Sequence, residues 1–442
     1  MSANLNIITD IRNFIKEVSD NPELRSCFTS SDRDFTRKRD LDFQKTTILL
    51  LNFLKKSYSI EILDFYQWLG RPDITVSKSA FCQQRSKIES PFFAFLNLVL
   101  VCSFYEHYAN ELKRWNGFLL IAIDGSTSHL VNKTEVVDYF GLHGNQRGAT
   151  AMGRLVTAFD VLNEITIKSA IQPINLSEQH TALSWVDSYQ QDMLLLYDRG
   201  FPGFVTMFHH QYKEQAQPYL MRCSLSFNQE VKAFLKSGEK DSICTFKSNK
   251  ESAKLLYEQG YKVPVGTELK VRLVKVKLDD GSLEVLVTNL FDTKMYPYKD
   301  FKALYFMRWA IESRYNYIKN KLQLESYSGQ KVNTIQQDFY CSIFLANLQN
   351  ILSKACQPYL SRINNKRLHD YKINQNVAIG IMKNRIIDLF IHQNPEIILM
   401  ELEKLFSKHV EPVRINRKHP HIEKFQQRKG KYRTLTNYKR AI

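Results

Sequence analysis

The chain has 442 residues with 44% hydrophobic content, enough for roughly two to four domains with real cores. It carries 61 Lys and Arg against 45 Asp and Glu, a net charge of +16 and a pI near 9.3, so its surface attracts polyanions, nucleic acid first. Its seven cysteines are scattered, odd in number and never spaced Cys-x-x-Cys, which excludes a disulfide framework and a zinc ribbon. No apolar run is long enough to span a bilayer, and the N-terminus lacks the basic-then-apolar pattern of a signal peptide, so a cytoplasmic, reducing setting is expected.

From Asn4 to about Trp115 the apolar residues recur at helical spacing, predicting an all-α region. Within it, helices over Ile60–Leu69 and Val76–Ile88 flank a Gly70-Arg-Pro turn. The second carries Lys78, Gln83, Gln84, Arg85 and Lys87. Such a pair reads either as a helix-turn-helix for DNA or as plain bundle packing. The run Gly117 to Ile123, ending at Asp124-Gly125, fits a buried strand. Glycine-rich Gly141–Gly153 matches neither a Walker nor a dinucleotide pattern and reads as a flexible loop near a phosphate backbone. Strands are predicted at Leu155–Phe159 and Glu164–Lys168, a helix at Ser177–Tyr189, and a second buried strand at Met193–Tyr197, followed by Asp198.

A further strand, Tyr219–Cys223, contains Arg222, which reads equally as a contact to DNA phosphate or as an ordinary surface arginine. The next seventy or so residues look β-rich, with charge and aliphatic side chains alternating over Lys270–Leu278, a turn at Asp279-Asp-Gly-Ser and a return strand from Leu283. His209 and His210 have no zinc spacing and read as structural or solvent-exposed. Beyond Gly329 the pattern is helical to about Val410, and Arg414 to Arg440 forms a basic tail with aromatics. This divides the chain at 1–116, 117–225, 226–296, 297–330 and 331–442: a helical region, an α/β core, a β-rich insertion, the core's last helix, and a helical end with its tail.

That last core helix carries a spacing of its own. At 100° per residue, Arg308, Glu312 and Lys319 fall within roughly 60° of Tyr305, beside an apolar stripe of Leu304, Ile311, Ile318 and Leu322. Trp309 reads as core packing in preference to base stacking. With Asp124 and Asp198 at strand ends, Glu312 gives three carboxylates able to converge in a crevice. Hard oxygen ligands suit Mg²⁺ or Mn²⁺, and a pair of such ions supports phosphoryl transfer. Taken singly, each aspartate also reads as an ordinary turn residue and Glu312 as a solvated helical glutamate. Asp160 and Glu325 are alternatives, though Glu325 would project about 140° from Glu312 on one continuous helix.

The chain resembles bacterial insertion-sequence transposases of the DDE type, the family marked by Tyr-x2-Arg-x3-Glu-x6-Lys. Tyr305, Arg308, Glu312 and Lys319 match all four positions, Ile123-Asp124-Gly125-Ser126 the first aspartate motif, and Tyr197-Asp198-Arg199-Gly200-Phe201 the second. The resemblance covers Gly117 to Gly329 with specific motifs, and the flanks loosely. It implies an α/β, ribonuclease-H-like core interrupted by a β-rich insertion, with all-α flanks, the first of which would bind transposon ends. Asp124, Asp198 and Glu312 would hold two divalent ions, Mg²⁺ with Mn²⁺ as substitute, while Tyr305, Arg308 and Lys319 would grip the DNA strand near the scissile end. The activity implied is cleavage at terminal inverted repeats and transfer of the freed 3′-hydroxyl into target DNA, often through a hairpin, by a DNA-bound homodimer without a membrane. A catalytically silent end-binding protein, and a nuclease without strand transfer, are the other readings.

Overall fold

The computed structural model describes residues 2–52, 54–145, 148–212 and 214–413; the basic tail lies outside the described residues. Two compact units divide the chain. The first takes residues up to Asn110, Ser128–Gly153 and everything from Tyr317 on, and the second takes Glu111–Thr127 and Arg154–Asn316. The two helical flanks read from sequence thus fall in one unit.

In chain order the first unit opens with α1 (Ala3–Asp20), α2 (Pro22–Ser26), α3 (Phe43–Leu51), α4 (Tyr58–Trp68), α5 (Lys78–Lys87) and α6 (Pro91–His107). The chain then makes β1 (Leu119–His129), α7 (Thr134–Phe140), β2 (Leu142–Asn145), β3 (Gly148–Asp160), β4 (Ile165–Pro173), α8 (Glu178–Trp185), β5 (Met193–Tyr197), α9 (Phe204–Gln211) and β6 (Tyr219–Cys223). It continues through α10 (Gln229–Lys236), β7 (Asp241–Lys247), α11 (Lys250–Glu258), β8 (Glu268–Lys277), β9 (Leu283–Thr288), α12 (Phe301–Met307) and α13 (Ala310–Asn316). Back in the first unit come α14 (Val332–Lys354), α15 (Gln357–Asn364), β10 (Tyr371–Ile373), α16 (Gln375–Ile391), α17 (Pro395–Lys408) and β11 (Val410–Pro412), with β10 and β11 paired antiparallel.

The core of the first unit is helical, and charged side chains sit inside it, among them Glu61 and Arg85, each 1% exposed. Arg85, 1% exposed on α5, spends all its donors: Nε on Gln337 Oε1 at 2.7 Å, Nη1 on Tyr58 and Ser328 hydroxyls at 2.7 and 2.6 Å, Nη2 on the Thr334 carbonyl and Asp338 at 2.8 and 2.9 Å. A buried guanidinium is tolerable only when each N–H is matched and an opposite charge stands beside it, as here. The candidate DNA-reading helix therefore points Arg85 inward, and Gln84 is also buried at 4% exposure. Gly141–Gly153, expected as a loop, pairs as a hairpin of β2 with the start of β3, Leu142 opposite Ala151 and Asn145 opposite Gly148. Its glycines interrupt side-chain packing without preventing the ladder.

A sheet organises the second unit, in the order β4-β3-β1-β5-β6-β9-β8-β7. Leu119–Ile123 and Met193–Tyr197 are continuous apolar runs buried at 8% exposure or less, as strands covered on both faces require. They pair in parallel with Leu119 opposite Met193 and Ile123 opposite Tyr197; β6 joins β5 in parallel with Tyr197 opposite Met221. The stretch 226–296, read as a β-rich insertion, contains two helices, and its strands continue this sheet: β9 runs antiparallel to β6, Leu220 opposite Thr288 and Cys223 opposite Val285. The β8–β9 hairpin turns at Gly281, whose φ of 86° a side chain would strain. Fully buried Arg272 on β8 ties β7 in through two bonds to Asp241, at 2.8 and 2.6 Å.

Candidate active site

The parallel register places the two aspartates. Because Ile123 lies opposite Tyr197, the next residues of the two chains, Asp124 and Asp198, follow side by side, about one strand spacing of 4.8 Å apart. Tyr197 in turn lies opposite Met221, so Arg222 takes the corresponding position one strand further. Asp198 follows the end of β5 as expected. Asp124 does not end its strand: β1 runs on to His129, and what ends at Ile123 is the buried apolar run.

The third carboxylate comes from a helix that is not continuous. Between α12 and α13 the backbone tightens, with Arg308 N–H donating to the Tyr305 carbonyl at 3.1 Å and Glu312 N–H to the Trp309 carbonyl at 3.1 Å. Such i to i+3 bonds turn about 120° per residue, which keeps Tyr305 and Arg308 on one side. From Tyr317 to Lys321 the chain then widens into a π turn, with Leu322 N–H donating to the Tyr317 carbonyl. The single α-helical stripe drawn through Lys319 therefore breaks after Asn316, and Lys319 belongs to the first unit. There it is half-buried; burial lowers its pKa, with the charge of Glu325 acting the other way. Glu325 lies beyond the helix and accepts from the His129 N–H at 3.0 Å. Asp160 is buried and caps the turn at Asn163, a structural task. The four residues of the expected apolar stripe are buried all the same, Leu304, Ile311, Ile318 and Leu322 each 2% exposed or less, the first two in the second unit and the last two in the first.

Within the second unit, six of the seven candidates meet around one guanidinium. Arg308, 2% exposed, stands 3.8 Å from Asp124, 3.9 Å from Asp198 and 3.3 Å from Glu312. The Tyr305 hydroxyl donates to Asp198 at 3.4 Å, and Arg222 reaches Asp198 at 4.0 Å and Glu284 at 3.1 Å. Burial works to lower the Arg308 pKa, but Tyr305, Asp198, Asp124 and Glu312 outweigh it and hold the cation charged. Burial pushes the Asp124 carboxyl up to about 6, helped by the charges of Asp198 and Glu178 and opposed by the Gly125 N–H and Arg308. Burial also raises the Tyr305 phenol, so it keeps its proton and remains a donor.

Sequence reasoning missed several members of this cluster. Tyr315 donates to the Asp124 carbonyl at 2.8 Å and fixes that strand from the helix side. Glu178, first residue of α8, packs its carboxylate against Gly125 so closely that a Cβ there would overlap Glu178 Oε2. Arg154 holds Glu178 at 3.6 Å. The one hint in sequence was the glycine after Asp124, which reads as a turn when it is in fact a close approach. Trp309, expected in the core, is 47% exposed, as is Phe306. The tight turn at Arg308 rotates Trp309 outward while Arg308 goes in. His210 is buried, its Nε2 3.0 Å from the Tyr197 hydroxyl, and His209 pairs with Gln259.

Among the described residues no three His, Cys, Asp or Glu side chains are close enough together to hold a metal as they stand. The donor set is nevertheless of the hard-oxygen kind, three carboxylates converging on a single buried positive charge. That fits a site built for cations, with Arg308 serving as one of them. Among the described residues no helix is long and apolar enough to cross a membrane.

No family model matches the chain. The transposase InsG of insertion sequence element IS4 from Escherichia coli (strain K12) is 22% identical over 353 residues, 76% of this chain and 76% of that one. A solved structure, the piggyBac transposase synaptic complex with hairpin DNA, superposes with a TM-score of 0.40 at 10% identity, covering 91% of this chain and 84% of that one, too loosely to bear on the fold. The chain is thus similar in sequence to a transposase of the insertion-sequence-four kind.

Proposed function

We propose that the protein is a cut-and-paste DNA transposase of the DDE type, with Asp124, Asp198 and Glu312 as its catalytic carboxylates in a ribonuclease-H-like core. The observation that carries this reading is the convergence of two register-matched aspartates and a helical glutamate on one buried guanidinium. The strand order β4-β3-β1-β5-β6, with β5 and β6 parallel to β1, supports the core assignment.

In this reading the three carboxylates would hold Mg²⁺ or Mn²⁺, two ions per site, which when bound would supply activation of a nucleophilic oxygen and stabilisation of the leaving one. The chain's own residues do the rest. Arg308 donates no hydrogen bond from Nε or Nη1, so a fork of donors is available to phosphate oxygens beside the carboxylates. Tyr305, neutral and hydrogen-bonded to Asp198, fixes that carboxylate's orientation. Glu284 holds Arg222 at the edge of the cluster, where it meets the strand. Lys319, in the first unit, is a further DNA-binding residue in this reading. Water attacks the scissile phosphorus and the 3′-oxygen leaves; the freed 3′-hydroxyl then attacks a target phosphodiester in the same manner. A homodimer on paired ends, acting in the bacterial cytoplasm, completes the proposal.

The test is nicking of a duplex carrying the inverted repeats that flank the gene, with and without Mg²⁺. Wild type should cut at the repeat boundary only with the metal, and E312Q should bind without cutting. Normal cutting by E312Q sinks the assignment.

A further inference from the structure

The first turn of α8 carries two side chains that reach the backbone beside both aspartates. Glu178 lays its carboxylate against Gly125 on β1, and the Gln179 side-chain amide donates to the Gly200 carbonyl. Gly125 follows Asp124 directly. Gly200 lies in the turn that leaves Asp198, closed by the Phe201 N–H donating to the Asp198 carbonyl at 3.1 Å. All of these residues belong to the second unit.

Gly125 leaves the room that Glu178 fills. Its φ is not positive, so the backbone alone does not call for glycine there, yet a Cβ would overlap Glu178 Oε2. The other carboxylate oxygen faces Gly200, 3.6 Å from where a Cβ would stand. Arg154 holds the carboxylate in this place: its Nη1 is 3.6 Å from Oε2, while Nε and Nη2 donate to the Ile174 carbonyl at 3.2 and 3.0 Å and fix the guanidinium at the approach to α8. A glutamate that only opened a helix and paired with an arginine would not need bare backbone beneath it.

The side of approach decides what this carboxylate does. Successive residues of a strand face opposite sides of the sheet, so Glu178 meets β1 on the side away from the Asp124 carboxylate. It is placed to brace the strand, and not to join the donor set. The link between the two is the Gly125 N–H, which donates to Asp124 Oδ1 at 2.8 Å. We propose that Glu178 is a positioning residue for the catalytic carboxylates: seated against Gly125 and Gly200, it sets by its shape the peptide that orients Asp124 and, with Gln179, the turn that carries Asp198. The proposal rests on the three-carboxylate reading and deepens it by naming what holds two of the three in register.

The test uses the full-length protein bound to a duplex inverted-repeat end, with Mn²⁺ as the probe and free Mn²⁺ counted by electron paramagnetic resonance against the duplex alone. Glu178→Ala should weaken Mn²⁺ binding about tenfold, the lower end of what losing a residue behind a metal ligand costs. Glu178→Gln keeps the length and shape and should regain most of that loss. Gly125→Ala ejects the carboxylate while leaving Glu178 in the sequence, and should weaken Mn²⁺ binding as Glu178→Ala does. Melting in EDTA separates a merely structural role: a lowered melting temperature for Glu178→Ala with wild-type Mn²⁺ affinity overturns the proposal. So does Glu178→Gln binding as weakly as Glu178→Ala, since charge and not shape would then be at work. Asp198→Asn binding Mn²⁺ as wild type does overturns the three-carboxylate reading itself, so the two failures are distinguishable.

Discussion

Replacing Asp124 with Asn should stabilise the metal-free protein, and by an amount that depends on pH. The side chain is 20% exposed, and its carboxyl sits at about 6 against an ordinary 3.8. A gap of about 2 pH steps, at 1.36 kcal/mol each, makes ionisation of Asp124 cost the fold ~3 kcal/mol. The folded state holds the proton more tightly than the unfolded one, so nothing is lost below about pH 3.8, where both are protonated. The cost grows as pH rises from about 3.8 to about 6 and is constant above. Asparagine is neutral throughout and escapes it. Urea unfolding in EDTA should therefore show Asp124→Asn more stable by ~3 kcal/mol near pH 7.5 and by little near pH 4. Added Mg²⁺ should stabilise wild type more than the variant, since binding to the folded state adds to its stability. A variant that is less stable near pH 7.5, or equally more stable at both pH values, would refute the placing of Asp124 in a crowded, desolvated carboxylate cluster.

Three further outcomes follow from named side chains. Gly125→Ala must displace the Glu178 carboxylate and should cost ~1–3 kcal/mol by thermal unfolding; combined with Glu178→Ala, most of that cost should disappear, whereas additive costs would mean the two do not touch. Arg85→Ala strands Asp338 and Gln337 in the core and should cost ~3–5 kcal/mol, seen as a lowered denaturation midpoint; a loss below ~1 kcal/mol would contradict a fully satisfied buried guanidinium. Arg308→Gln leaves three carboxylates without their shared cation, so Mg²⁺ should raise the melting temperature of the variant more than that of wild type; an equal rise would show that Arg308 does not offset their charge.

The parts of the fold that could be read in advance are those governed by local pattern. Leu119–Ile123 and Met193–Tyr197 are continuous apolar runs, which short buried strands require, and Leu304, Ile311, Ile318 and Leu322 keep helical spacing. What local pattern does not carry is pairing. That Ile123 stands opposite Tyr197, and so that Asp124 neighbours Asp198, is a register between strands some seventy residues apart. Nor does it carry the break in the helix: no Gly or Pro lies between Tyr305 and Lys321, yet the backbone tightens at Arg308 and widens at Tyr317, turning Trp309 outward. Arg85 fails for a related reason. On a polar helix it reads as a surface cation, and its partners Ser328, Thr334, Gln337 and Asp338 lie more than 240 residues away in sequence. Gly125 and the Gly141–Gly153 segment read as turn and loop because glycine marks both a turn and a close approach, and only the neighbour decides which.

The central claim is that Asp124, Asp198 and Glu312 together make this protein join DNA. It is tested most directly by supplying a pre-cleaved end with a free 3′-hydroxyl and a supercoiled plasmid, in Mg²⁺, and measuring covalent joining. Wild type should join the end to the plasmid, while Asp124→Asn, Asp198→Asn and Glu312→Gln should each bind the end with wild-type affinity and join none of it. Joining by any one of these variants at the wild-type rate would contradict the account.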